Sequence, residues 1–189
     1  MIEAESSGVA KDTRVALIRG INVGKAKRVA MAELRAELEK IGYADVRTLL
    51  NSGNVVFTLP AKSKGEPDAR VEEVLEKRLK VPARVVVLTA AEVAEAVDDN
   101  PLLKLAEGDP ARFLVAALAE SVDRKALAAL AKQEWAPEAF ALGKRVAYLW
   151  LADGILASKM LTAFSRATKD GATTRNWTTT VKLRAMAES

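Results

Sequence analysis

Residues 14–18, "RVALI", form a short apolar run that reads as a buried strand, and the polar loop after it ends where helical spacing begins. In "MAELRAELEKIG", Met31, Leu34, Leu38 and Ile41 recur on one helical face, and Gly42 suits the stop. "VRTLL" and "NVVFTL" flank "NSG", whose Asn and Gly tolerate positive φ, so the pair predicts a β-hairpin. From Asp68, a candidate N-cap, Val71, Val74, Leu75 and Leu79 mark a second amphipathic helix. "ARVVVL", at 83–88, is strongly β-prone. The order β-α-β-β-α-β is the split βαβ pattern of a ferredoxin-like sheet.

Thr89 and Glu92 form a capping box that opens a helix over "AAEVAEAV", and Asn100-Pro101 ends it. The pattern then begins again. "RFLVAAL" reads as strand, "DRKALAALAKQ" as helix, and "EAFALGKRVAYLWL" as a hairpin turning near Gly143-Lys144. A further helix follows around "ASKMLTAFSRA". In "TTRNWTTTVKLRAMA" the threonines favour strand and "VKLRAMA" favours helix, and the expectation is a helix starting near Thr174–Trp177. The predicted fold is α+β: two ferredoxin-like halves in tandem, the second incomplete and closed by C-terminal helices. The expected divisions are a disordered leader over 1–12, an N-terminal subdomain over 13–89 and a C-terminal one over 90–189.

Composition narrows the chemistry. The 189 residues contain no cysteine and no histidine. Within this chain that excludes disulfides, cysteine nucleophiles, thiolate or imidazole metal sites and the Ser–His–Asp triad. No metal site is expected, and no cofactor is implied. The longest apolar runs fall far short of the ~20 residues of a membrane helix, so no membrane is expected and the cytoplasm is the default compartment.

The net charge of +4 is unevenly placed. Residues 13–32 carry Arg14, Arg19, Lys25, Lys27 and Arg28 with no acid. Residues 154–189 carry Lys159, Arg166, Lys169, Arg175, Lys182 and Arg184 against Asp170 and Glu188. The basic excess therefore belongs to two segments, although charge runs usually face water.

Three stretches carry candidate chemistry. "GINVGK" is one residue short of a P-loop, and Ala26 stands where the Mg²⁺-binding hydroxyl would be. Gly20 and Gly24 nevertheless permit close backbone approach, Asn22 can close an Asx-turn, and Arg19 and Lys25 can hold an anion. In "NSGN" a hairpin turn is the simpler reading, with Asn54 placed to face a neighbouring ligand. "SK" and "TRNW" offer Ser158, the Lys159 point charge, the planar fork of Arg175, Asn176 and the stacking face of Trp177. Each has a structural alternative: a strand-to-helix bend for the first, and a capped helix end with Trp177 in the core for the last. Asp98-Asp99 reads as a solvated loop pair rather than an ion site.

"VALIRGINVG", "MAELRAELEKIG", "VRTLLNSGNVVF", "NPL", "SK" and "TRNWTTTVKL" together resemble the domain of unknown function 1697 family over residues 13–186. The resemblance implies a small, mostly bacterial protein of mixed α and β structure, and it implies no particular reaction. Family members commonly show a second Gly after "NVG" and "RNWNTV" near the end; here Lys25, Thr178 and Thr180 stand at those places. The functional expectation is a protein that binds a phosphate-bearing or other anionic ligand, a small molecule or nucleotide, in a basic cleft. Nucleic acid is a weaker partner, because RNA-binding sheets present aromatics and these are only 5% here. The alternatives are an enzyme acting on a phosphorylated or carboxylated small molecule, and an interaction module for an acidic partner.

Overall fold

The structure, a computed structural model, describes residues 11–189. Most of the expected leader lies outside those residues, and Asp12 already opens the first strand opposite Leu59. The first half runs β1 (Asp12–Ile18), α1 (Met31–Lys40), β2 (Ala44–Leu49), β3 (Asn54–Leu59), α2 (Pro67–Glu73) and β4 (Val85–Thr89). Helix α2 starts at Pro67 rather than at an Asp68 cap, because proline's fixed φ suits the first helical position. It continues as a π-helical turn over Val74–Arg78.

After α3 (Ala90–Asp98) and α4 (Leu103–Gly108) come β5 (Phe113–Leu118), α5 (Arg124–Ala131), β6 (Ala139–Leu142), β7 (Val146–Trp150), α6 (Lys159–Thr168), β8 (Ala172–Asn176) and α7 (Trp177–Glu188). The expectation of an incomplete second half is overturned by β8. Residues 172–176 form a strand paired antiparallel with β5, and the helix begins only at Trp177. Strand β5 is buried on both faces between β7 and β8, so its backbone groups need a ladder on each side. The β-branched pair Thr173-Thr174 suits that ladder, and Asn176 then caps α7 by accepting from Thr179 N at 2.9 Å.

The result is an α+β fold with two four-stranded antiparallel sheets, ordered β2-β3-β1-β4 and β6-β7-β5-β8. Period-2 alternation divides the core. Val15, Leu17, Val56 and Val86 of the first sheet join Phe113, Val115 and Tyr148 of the second in one cluster, filled by α3 and α7. Ala16, Ile18, Val55 and Phe57 face the opposite way, onto α1 and α2. Leu114, Ala116, Ala147 and Leu149 face α5 and α6. The two halves therefore share their central core. Tyr148 Oη donates to Ala96 O at 3.1 Å across it, and burial pushes that phenol up to about 12. Among the described residues no helix is long and apolar enough to cross a membrane.

Candidate functional site

The loop after β1 is closed by one side chain. Asn22, at φ 56°, accepts from Val29 N at 2.8 Å and donates to Val29 O at 2.9 Å, while its own N–H donates to Lys27 O at 3.0 Å. Its second amide hydrogen reaches Asn51 O at 2.7 Å, in the β2–β3 turn. With both hydrogens committed, Asn22 is a latch within the fold. Gly20 and Gly24 adopt φ of 67° and 61°, the left-handed conformation that makes the bends. Lys25 is exposed and lines none of the clefts described below.

The β2–β3 turn lies against the end of β1. Ile18 N donates to Gly53 O at 2.8 Å. A Cβ on Gly53, at φ 83°, would meet Ile18 Cβ at 2.8 Å, so only glycine fits. Asn54 is fully buried and donates to Leu49 O at 2.9 Å and Ser52 Oγ at 3.0 Å.

Arg175 crosses from β8 into this turn. Its Nε donates to Asn54 Oδ1, Nη1 to Thr174 O at 2.8 Å, and Nη2 to Ile18 O and Ser52 O, both at 2.8 Å, and to Gly53 O at 3.2 Å. All five acceptors are uncharged oxygens. Burial without a carboxylate holds the guanidinium below its usual range, at about 10. It remains a cation at neutral pH. The loop after β1, the "NSGN" turn and Arg175 of "TRNW" thus converge, through Asn22 and Arg175, on one polar node between the halves, while Ser158 and Lys159 lie outside it.

Of the other predicted residues, Ser158 and Trp177 have internal roles and Lys159 has none. Ser158 caps α6, accepting from Leu161 N at 2.9 Å. Lys159 follows it and is exposed. Trp177 is buried edge-on against Phe113, with ring centroids 5.8 Å apart. Asp98 pairs with Arg184 at 2.7 Å, and among the described residues no cluster of ligating side chains could hold a metal ion.

One cleft opens beside the node. It holds about 240 Å³ and runs from Arg19 and Gly20, along α6, to β8 and Arg175. Arg19, Lys169 and Arg175 line it with Ser165, Thr168, Thr173 and Thr174, over an apolar wall of Leu161 and Phe164, and no carboxylate is among its lining residues. At the rim Arg19 donates to Lys169 O at 2.6 Å and pairs with the exposed Asp170 at 3.3 Å. Thr173, only 2% exposed, has no hydrogen-bond partner for Oγ1. A buried hydroxyl without a partner costs free energy unless a further group satisfies it.

Sequence reasoning placed Arg19, Gly20 and Arg175 near one another but missed Ser165, Thr168, Lys169 and Thr173. Thr173 read only as a strand former, and Lys169 as one of several surface cations. Two larger grooves adjoin the cleft, of about 530 and 460 Å³, and both carry carboxylates, including Glu72 and Asp170. The basic excess is therefore divided among internal bonds, surface pairs and one small cleft.

A family model described as a protein of unknown function, DUF1697, matches residues 12–148, and the chain belongs to that family. No curated protein matches it. Among solved structures, a conserved bacterial protein from Streptococcus pneumoniae is similar, with a TM-score of 0.71 and 25% identity, covering 94% of this chain and 99% of that one.

Proposed function

We propose that this DUF1697 family member is a binding protein for a small phosphate- or carboxylate-bearing anion, seated in the cleft between Arg19 and Arg175. The observation that carries the reading is a buried cation facing no counter-charge, beside a buried hydroxyl that lacks a partner. An anion there would receive charge-assisted bonds from Lys169 and the rim, and its oxygen would satisfy Thr173. At about 240 Å³ the cleft is smaller than the ~300–1,000 Å³ of drug-sized pockets. It suits a phosphate head on a small body, a nucleoside monophosphate at the upper limit. A nucleic-acid strand would have to run on past the carboxylates of the adjoining grooves, which repel its phosphates. The ferredoxin-like reading of each half belongs to the same proposal, supported by the antiparallel order β2-β3-β1-β4 and its repeat.

The test is a thermal-shift series with inorganic phosphate, pyrophosphate, nucleoside monophosphates and small dicarboxylates. An anion at about 100 times its Kd adds roughly 2.7 kcal/mol. In a domain of this size that raises Tm by about 5–10 °C. Lys169→Ala and Thr173→Val should lose that shift while leaving the unliganded Tm near native. Full response in both variants, or no response of the native chain to any of the anions, overturns the reading.

A further inference from the structure

We infer that the loop after β1 and the β2–β3 turn form a docking tip for a second copy of this chain, each copy seating its tip in the acidic groove beside α2 of the other. The tip exposes two aliphatic side chains, Val23 at 71% and Leu50 at 59%. They sit on neighbouring loops because Asn22 holds Asn51 O at 2.7 Å. The surface is preformed, since Asn22 also fixes both ends of its own loop. Leu50 adopts φ 58°, a conformation that costs a bulky residue free energy. It is held there with its side chain in water, a double cost that burial against a partner would offset. Lys25, Lys27 and Arg28 follow Val23 on the same loop, all exposed and without an ion pair among the described residues.

The complement lies on the same molecule. The groove of about 530 Å³ beside α2 has an apolar floor that includes Val85, Val86 and Val122. Of its carboxylates, Glu72 pairs with Arg84 and Asp170 with Arg19, both at 3.3 Å. Glu66 and Asp68 have no ion pair among the described residues. Three free cations on the loop that carries Val23 thus match two free carboxylates over an apolar floor. Lys27 and Glu72 line one common recess, so tip and groove lie on one face. That adjacency is what a two-fold pair needs, since both contacts must form at once. Arg84 and Lys169 line the groove as well, but the residues substituted below are distinct from Lys169 and Thr173, so failure of this inference and failure of the anion site are told apart.

Sedimentation velocity of the full chain tests it. Loaded from about 1 to 100 μM at low salt, a range that brackets micromolar affinities, the native protein should pass from one-chain to two-chain mass, and high salt should reverse this. Lys25→Glu, Lys27→Glu and Arg28→Glu made together, and separately Glu66→Lys with Asp68→Lys, should each give one-chain mass with native melting curves. Mixing the two variants should restore two-chain mass, because each tip then meets a groove of opposite charge. A native chain that stays single throughout, a dimer that survives the tip substitutions, or a mixture that stays single overturns the inference.

Discussion

Replacing Arg175 by alanine should be among the most damaging single changes in this protein. The substitution removes the donor to Asn54 Oδ1, Ile18 O, Thr174 O, Ser52 O and Gly53 O. Water can reach some of these acceptors once the side chain is gone, but Asn54 and Ile18 are fully buried. Each buried acceptor left unpaired costs about 1–3 kcal/mol. Against this stands the relief of no longer desolvating a guanidinium, so with several acceptors unpaired at once the net loss should be about 3–5 kcal/mol. A loss of that size is a large part of the ~5–15 kcal/mol that holds a typical domain folded. It should lower Tm by about 6–20 °C. Urea unfolding gives the free energy directly, with Arg19→Ala as the contrast. Arg19 is a half-exposed rim residue, and its loss should cost about 1 kcal/mol or less. Asn54→Ala closes the argument: in a double-mutant cycle it should couple to Arg175→Ala by at least about 1 kcal/mol. An Arg175→Ala protein with native Tm and native urea midpoint would refute the account of the node.

Three further outcomes follow from the geometry. Gly53→Ala should destabilise by about 2–4 kcal/mol, combining positive-φ strain with overlap against Ile18, and calorimetry reads it. Leu50→Asn should instead raise the unfolding free energy from urea titration by about 0.5–1 kcal/mol, because asparagine tolerates φ 58° and no exposed aliphatic surface remains. The chain has two tyrosines, and burial raises both phenols, Tyr148 to about 12. Because the folded phenols hold their protons longer than the unfolded ones, the stability they contribute is complete below pH 10. For Tyr148 it is lost as pH rises through about 12, a change of about 3 kcal/mol. Phenolate absorbance should therefore show no folded-state step at pH 10, and a step there before unfolding would contradict the packing of Tyr43 and Tyr148.

How much of this was legible beforehand depended on sequence distance. Strands β1, β3, β4, β5 and β7 were visible because each is a run of apolar residues sorted by alternation into two cores. The capping box at Thr89 and Glu92 was visible because it is local, and both its bonds are present, at 3.0 and 2.8 Å. Strand β8 was misread because its reason lies elsewhere: Thr173 faces Ala117 and Thr174 faces Ala116, and only the need to complete the ladder of β5 makes 172–176 a strand. Helix α4 was missed because a six-residue element leaves too little periodicity to read. The candidate residues were identified as unusual, but their partners were hidden. Arg175 bonds to groups 121 and 157 positions away, so its part in joining the halves has no local signature.

The structural and ligand-binding roles of Arg175 need not compete. A guanidinium braced by a carboxylate would have its charge cancelled within the fold, and an incoming anion would meet a neutral pair. Here the brace consists of four carbonyls and one amide oxygen, which satisfy N–H groups without neutralising the cation. Of the five N–H groups, Nε uses one and Nη2 two, and Nη1 spends one on Thr174 O, which leaves one Nη1 hydrogen uncommitted. The fold therefore holds an intact positive charge with a spare donor at the wall of a cleft that no carboxylate lines. Burial disfavours that charge and an anion would favour it, so ligand binding should raise the Arg175 pKa above about 10. By linkage, the affinity for an anion of fixed charge should fall as pH rises through that value. Titration calorimetry with the anion that gives the largest thermal shift, at pH 8 and at pH 10.5, reads this in a Lys169→Arg background, where no lysine of the cleft titrates in that window. An affinity unchanged between the two would mean that the charge of Arg175 serves only the node.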